Sequence, residues 1–390
     1  MPAHIVAIGD IGVIDGMIHI GDEAMFEAFV AEMRRRGIDG VTGISSAPAE
    51  SARRYGIAAI AGIGFGRDRA ANNARMRAVI GAARGTVELD ADDPAGAVIA
   101  AIADSDGVAV TGGGNMASIW PHHVFERATI GAVAAALGKP LVVSGQTMGP
   151  ELDRDDAALV RDLLASAAVV GVREPSSLQL CRSLGLTNLT STVDDASYLV
   201  SDPAEPGDYC LVSLASHVGD ADRDAVVAAV ASMLDEIPLE VVFLAHFGAL
   251  DPALSRGDSV MHDRVIEAMS QPARVVAPTD SPAAARLARN AGMVVSSRYH
   301  PVVFAVPAGV PTVGIPVDDY TGVKLRGALG NFGQDGVLEV QRLLAGEGTA
   351  ETSRVLSKRT AIADEAARLS EDRQAASADW WDRVAATFGG

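Results

Sequence analysis

Short apolar runs alternate with stretches of helical spacing along nearly the whole chain. HIVAIGD (4–10), GVTGIS (40–45), GVAVTGG (107–113), LVVSGQ (141–146) and AVVGVRE (168–174) are continuously hydrophobic. That pattern belongs to strands covered on both faces, hence to a parallel sheet. Helical patterns near 67–84, 94–104, 120–137, 153–166 and 175–184 separate them. GDEAMFEAFVAEMRRRG (21–37) reads as a helix with acids in its first turn and bases in its last, which suits the helix dipole. LVSDPAEPGDY (199–209), with two prolines, a glycine and three acids, reads as a linker. Beyond it the rhythm restarts with YCLVSLA (209–215), LEVVFLAHF (239–247), ARVVAP (273–278), MVVSSR (293–298) and PTVGIPV (311–317).

This alternation predicts an α/β protein built from two doubly wound, Rossmann-like domains facing a cleft. The domains are expected over 1–200 and 208–345, followed by a helical tail (351–390) that packs back on them through Trp380 and Trp381. The length of 390 residues agrees, since a domain takes roughly 150 residues. With 48% hydrophobic and only 4% aromatic residues, the cores are expected to be built from small side chains.

A net charge of −18, without a Lys/Arg block, argues against a nucleic-acid partner. It leaves room for a small anion, because a few arginines dominate a site once charges beyond about 8 Å are screened. Cys181 and Cys210 lack metal-ligand spacing and read as reduced core thiols. The N-terminus has no basic leader, Asp10 interrupts its apolar run, and no run reaches the roughly 18 apolar residues of a membrane span. The protein is therefore expected to be cytoplasmic, without a transmembrane segment.

Ligands of doubly wound sheets bind beyond the carboxyl ends of the strands, so the residues there are the candidates. Asp10 follows the first strand. TGGGNM supplies Gly112, Gly113, Gly114 and Asn115, either as a backbone cradle for an anion at a helix start or as a tight turn needing positive φ. SGQTMGP supplies Gln146, and VREPSS supplies Arg173. TVDDAS supplies Asp194 and Asp195, which read as metal ligands, a base or, as readily as both together, a solvated turn. His217 and His246 follow strands of the second half and read as local structural histidines. SSRYHPVVFAVPAGVPTVGIP (296–316) puts Arg298 and His300 between two apolar runs, with Pro301 in a first helical turn. Anion capture by Arg298 and proton transfer by His300 explain that placement. Lys324 sits nearby, as a phosphate contact or a helix decoration.

Taken in order, GDEAMFEAF, TGGGNM, SGQTMGP, VREPSS, VDDASYL and the Arg-x-His block resemble the polysaccharide pyruvyl transferase family over most of the chain. The resemblance implies a two-domain fold of the glycosyltransferase-B type. It also implies transfer of pyruvate from phosphoenolpyruvate onto two hydroxyls of a cell-surface polysaccharide or its sugar precursor, as a cyclic ketal. The family's Gly-Asp-Glu falls on Gly21, Asp22 and Glu23, its glycine-rich turn on Gly112 to Gly114, and its Arg-x-His on Arg298 and His300.

On this reading His300 is the acid/base, and Asp22 or Glu23 is the base or an acceptor-binding carboxylate. Arg298, Arg173 and Lys324 clamp the anion. Asp10, Asn115, Gln146, Asp194 and His246 complete the expected substrate-binding set. The first domain is the acceptor side and the second the donor side. No redox cofactor and no metal are called for. The partners are a small anionic donor and a glycan or lipid-linked sugar, with a homo-oligomer open. Two rivals stand on the same fold: a sugar-nucleotide glycosyltransferase and a catalytically inactive glycan-binding member.

Overall fold

The computed structural model describes residues 3–200 and 207–389, so residues 201–206 of the expected linker lie outside the described residues. Nine strands precede them: β1 (His4–Ile8), β2 (Met17–His19), β3 (Gly40–Ile44), β4 (Ala58–Ile60), β5 (Gly107–Val110), β6 (Gly113–Met116), β7 (Leu141–Met148), β8 (Val169–Val172) and β9 (Leu189–Ser191). Six follow: β10 (Tyr209–Ser213), β11 (Glu240–Leu244), β12 (Phe247–Ala249), β13 (Ala273–Val276), β14 (Met293–Ser296) and β15 (Thr312–Gly314). Every apolar run predicted as a strand contains one. The strands the hydrophobic pattern misses, β2, β4, β6, β9 and β12, are only three or four residues long, too short to show a period.

The described residues group into two compact units. One draws on Met1–Val13, Met25–Asp195 and Ala376–Gly390; the other on Ile14–Ala24 and Ala196–Ala375. The helix Ile20–Arg35 therefore begins in the second unit and continues in the first.

The first unit holds a parallel sheet of order β4-β3-β1-β5-β7-β8-β9, with β6 alongside β7. Side chains of β1 alternate between its faces. Val6 and Ile8 pack with Val98, Ile102 and Val124, while Ile5 and Ala7 pack with Phe26, Phe29 and Trp381. Both faces are thus covered, as the uninterrupted apolar run requires. The terminal helix Arg359–Thr387 delivers Trp380 and Trp381 into this unit. Both are buried, Trp381 edge-on to Phe29 and Trp380 donating through Nε1 to Ser144 Oγ at 3.1 Å.

The second unit holds the parallel sheet β13-β11-β10-β14-β15 around its own core of Val212, Phe243, Val295 and Val313. A short antiparallel ribbon, β2 with β12, joins the Ile14–Ala24 segment to this unit. In each sheet the strand order reverses direction once, between β1 and β5 in the first unit and between β10 and β14 in the second. The crevice at such a reversal is where doubly wound sheets bind ligands.

Candidate active site

In the second unit the strands on either side of the reversal are locked together beyond their carboxyl ends. Ser297 N donates to Ser213 O at 3.0 Å, and Ala215 N donates to Ser297 Oγ at 2.8 Å. Ser296 Oγ accepts from Arg298 N at 3.0 Å. These bonds fix the start of the helix Tyr299–Ala305, whose second residue is His300.

Arg298 meets a carboxylate that sequence reading did not single out. Its Nε and Nη2 grip Asp258, with contacts of 2.9 and 2.5 Å, leaving Nη1 as the guanidinium nitrogen not engaged by Asp258. Asp258 is fully buried and also accepts from Phe247 N at 2.9 Å. Arg298 is 31% exposed. A bidentate buried carboxylate sets the plane and direction of a guanidinium. Lys324 lies on the same side of the unit, its Nζ 3.8 Å from the Tyr320 ring centroid and 5.7 Å from that of Tyr299.

The Gly-Asp-Glu stretch comes to this place although it lies nearly 280 residues away in sequence. Ile20 N donates to His246 O at 2.9 Å, Ser281 Oγ donates to Ile20 O at 3.2 Å, and His19 stacks on Phe247 at 3.9 Å. Gly21 then rests on the His300 imidazole: a β-carbon there would stand 1.8 Å from Nδ1. Asp22 Oδ2 is 3.7 Å from His19 Nδ1, and Glu23 is 1% exposed. Gly21, Asp22, Glu23, Arg298, His300 and Lys324 therefore share one unit.

His246 needs a correction. It was expected to touch substrate, but its ring is 4% exposed and lies 3.1 Å from Ser213 Oγ. Burial, with His300, Arg298 and His262 nearby, pushes its imidazole down to about 3, so it stays neutral. Its contribution is the carbonyl that holds Ile20. The exposed His217 lies 3.6 Å from Asp318.

The reversal in the first unit carries a second constellation. Asp10, just after β1, accepts from Arg127 Nη2 at 2.8 Å and from Asn115 Nδ2, and its Oδ1 is 3.2 Å from His123 Nδ1. Burial works to raise the Asp10 carboxyl, but Arg127 and His123 overcome it and hold the group well below the usual carboxylate range. Arg127 and His123 come from the helix Pro121–Ala136 and carried no signal in the sequence beyond their residue types.

The remaining expectations in this unit are corrected by burial. Arg173, expected to clamp an anion, is 1% exposed and bound to Asp194 and Glu174. That makes Arg173 and Asp194 a core ion pair. Gln146 is fully buried in β7 and donates to Thr111 O at 2.5 Å.

Gly112, Gly113 and Gly114 make neither a positive-φ turn nor a helix start. Gly113 and Gly114 lie in β6, and the next helix begins only at Pro121. Their smallness serves close approach. A β-carbon on Gly113 would stand 2.7 Å from Gln146 Nε2, and one on Gly112 would stand 3.0 Å from Asp195 Oδ2. Asp195 also accepts from Ser144 Oγ at 2.9 Å and from Gly112 N at 3.1 Å. Burial and the neighbouring Asp194 push its carboxyl up to about 7.

Among the described residues no group of three or more His, Cys, Asp or Glu is placed to hold a metal ion. Among them, too, no helix is long and apolar enough to cross a membrane.

The sequence pattern described as polysaccharide pyruvyl transferase matches residues 19–319. No curated protein sequence matches the chain. Solved structures share the fold at low identity. The calicheamicin glycosyltransferase CalG4 is 17% identical, with 100% of this chain and 99% of that one covered and a TM-score of 0.57. The UDP-GlcNAc 2-epimerase from Neisseria meningitidis, bound to UDP-GlcNAc, is 10% identical over 95% and 99% of the chains, with a TM-score of 0.55. Its counterpart from Methanocaldococcus jannaschii is 10% identical over 92% of each chain, with a TM-score of 0.56. The fold is of the glycosyltransferase-B type.

Proposed function

The chain belongs to the polysaccharide pyruvyl transferase family, and on that footing we propose that it moves the pyruvyl group of phosphoenolpyruvate onto two hydroxyls of a polysaccharide or its sugar precursor, forming a ketal. The observation that carries this reading is the convergence of Gly21, His300 and the Asp258-braced Arg298 in one unit. A donor that is both a carboxylate and a phosphate ester needs fixed cations and one proton donor. Arg298 and Lys324 are the cations. They neutralise the donor and stabilise phosphate as it departs.

His300 protonates the methylene carbon, which makes the adjacent carbon electrophilic. A sugar oxygen attacks that carbon, phosphate leaves, and a second hydroxyl closes the ketal. One proton is added at carbon and two leave the hydroxyls, so the surplus proton departs with phosphate. Asp22, in the turn that presses Gly21 onto His300, is the carboxylate suited to exchange protons with this centre.

The test is phosphate release from phosphoenolpyruvate in the presence of a glycan panel. The His300→Ala variant should lose about 10²–10⁴-fold in turnover, the usual contribution of a general acid. Unchanged turnover would rule His300 out. Thermal unfolding with phosphoenolpyruvate against a UDP-sugar separates the glycosyltransferase alternative. A true ligand at 100 times its Kd adds about 2.7 kcal/mol of stability, and a response to the UDP-sugar alone would favour that alternative.

A further inference from the structure

The donor chemistry leaves His19 without a part, although it stands beside the donor groups of the second unit. The two-stranded ribbon sets it directly opposite Phe247, and its imidazole stacks on that ring, 3.9 Å between centroids and 21° from parallel. Asp258 holds the Phe247 backbone at both polar atoms. Phe247 N donates to Asp258 Oδ2 at 2.9 Å, and Asp258 N donates to Phe247 O at 2.8 Å. The same carboxylate grips Arg298, whose Cζ lies 6.0 Å from the Phe247 centroid. One buried acid therefore fixes both the ring that carries His19 and the guanidinium beside it. His19 and Arg298 stand no farther apart than those two ring distances laid end to end, within reach of one small molecule that carries two anionic groups.

The His19 side chain is 50% exposed and that of Arg298 31%, so both meet solvent. Asp22 Oδ2, 3.7 Å from His19 Nδ1, and the face of the Phe247 ring favour the protonated imidazole. Arg298 opposes it, as does Arg256, which donates to Asp15 O in the hairpin before β2. The other titratable groups on the elements packed against this turn are Asp15, Asp258, His246, His300 and Asp280, which caps the helix whose Ser281 holds Ile20. Asp258 is committed to Arg298, and His246 stays neutral. A carboxylate together with a doubly ionised phosphate carries one negative charge more than Arg298 and Lys324 balance.

We propose that protonated His19 is a further cation of the donor site and binds the phosphate group of the donor alongside Arg298 and Lys324. This rests on the reading of the donor as phosphoenolpyruvate and adds to it a residue that makes donor affinity depend on pH. The imidazolium is strongest as an anion ligand in mild acid and is lost as the ring gives up its proton.

The test is proton NMR on the full chain with sodium sulfate as probe, a tetrahedral dianion whose own charge stays constant through the titration; His19→Gln assigns the His19 signal. At saturating sulfate the pH midpoint of that signal should rise by about one unit, the counterpart of about tenfold tighter binding to the protonated ring. At about pH 6, His19→Gln should weaken sulfate binding about tenfold, and at about pH 8.5 variant and parent should agree within about twofold. His19→Lys, cationic at both, should hold sulfate at about pH 8.5 as the parent does at about pH 6. With phosphoenolpyruvate at about pH 6, His19→Gln should raise KM about tenfold and keep kcat within about threefold. An unmoved His19 midpoint, or equal affinity of His19→Gln and parent at about pH 6, would overturn the proposal while leaving pyruvyl transfer intact. If sulfate and phosphoenolpyruvate bind through His19 but no glycan elicits phosphate release, the anion site stands and the pyruvyl reading is wrong.

Discussion

Gly21 lies against the His300 imidazole with no room for a side chain between them. A β-carbon at position 21 would stand 1.8 Å from Nδ1 and 2.3 Å from Cγ. Gly21→Ala must therefore displace His300 or unseat the turn that Ile20 anchors to the His246 carbonyl. We expect a fall in turnover approaching that of His300→Ala, about 10²-fold or more. Far-ultraviolet circular dichroism should stay unchanged, and full activity in Gly21→Ala would show that the contact is incidental.

Arg298 owes its direction to Asp258. Asp258→Asn keeps an oxygen for Phe247 N but removes the charge that grips the guanidinium. Fully buried ion pairs cost about 3–5 kcal/mol when one partner is removed; with Arg298 partly in water, the loss should be about 1–2 kcal/mol. The larger effect should be on donor affinity, a KM for phosphoenolpyruvate raised about tenfold, equivalent to about 1.4 kcal/mol, with kcat nearly kept. A variant with lower kcat and unchanged KM would mean that Arg298 does not bind the donor.

Gly145 has φ +51°, and a β-carbon there would lie 2.5 Å from Asp195 Oδ1. Gly145→Ala combines left-handed strain with overpacking around a buried carboxyl. Urea unfolding should show a loss of about 2–4 kcal/mol. A loss below about 0.5 kcal/mol, the range of surface substitutions, would mean that Asp195 has somewhere to move.

Asp195 also makes stability depend on pH in an unusual direction for an acid. Its carboxyl rises from an ordinary 3.8 to about 7 in the fold, so between those values the folded chain holds a proton that the unfolded chain has lost. Stability from this group is present below about pH 4 and lost as pH climbs through 7. Asp10, held below the ordinary range, acts oppositely: its contribution disappears as acid is added. Asp195→Asn should flatten the decline between pH 4 and 7 relative to the parent in denaturant melts. Parallel pH curves would place the proton elsewhere.

The long apolar strands were readable because burial on both faces leaves an unbroken hydrophobic run, as in β1 and β7. The Arg-x-His block stood out because an arginine and a histidine at the end of such a run are conspicuous. Asp258 and His123 were not readable. Each lies in a helical stretch or loop of ordinary composition, and each acquires meaning only through a partner 40 or more residues away. The opposite error struck Arg173 and Asp194. Two charged residues beyond neighbouring strands look like a site until their pairing inside the core is seen. The glycine run was ambiguous for a related reason, since sequence does not say whether a missing side chain frees the backbone or admits a neighbour.

The interleaved chain has a practical consequence for anyone wishing to divide the protein. Residues 14–24 serve the second unit and residues 376–390 the first, where Trp381 packs on Phe29. Scission near residue 200 would strip one fragment of its closing tryptophans and the other of the turn beneath His300. Neither half is a contiguous stretch of gene, so an isolated second unit would have to be made by circular permutation or by supplying the missing peptide in trans.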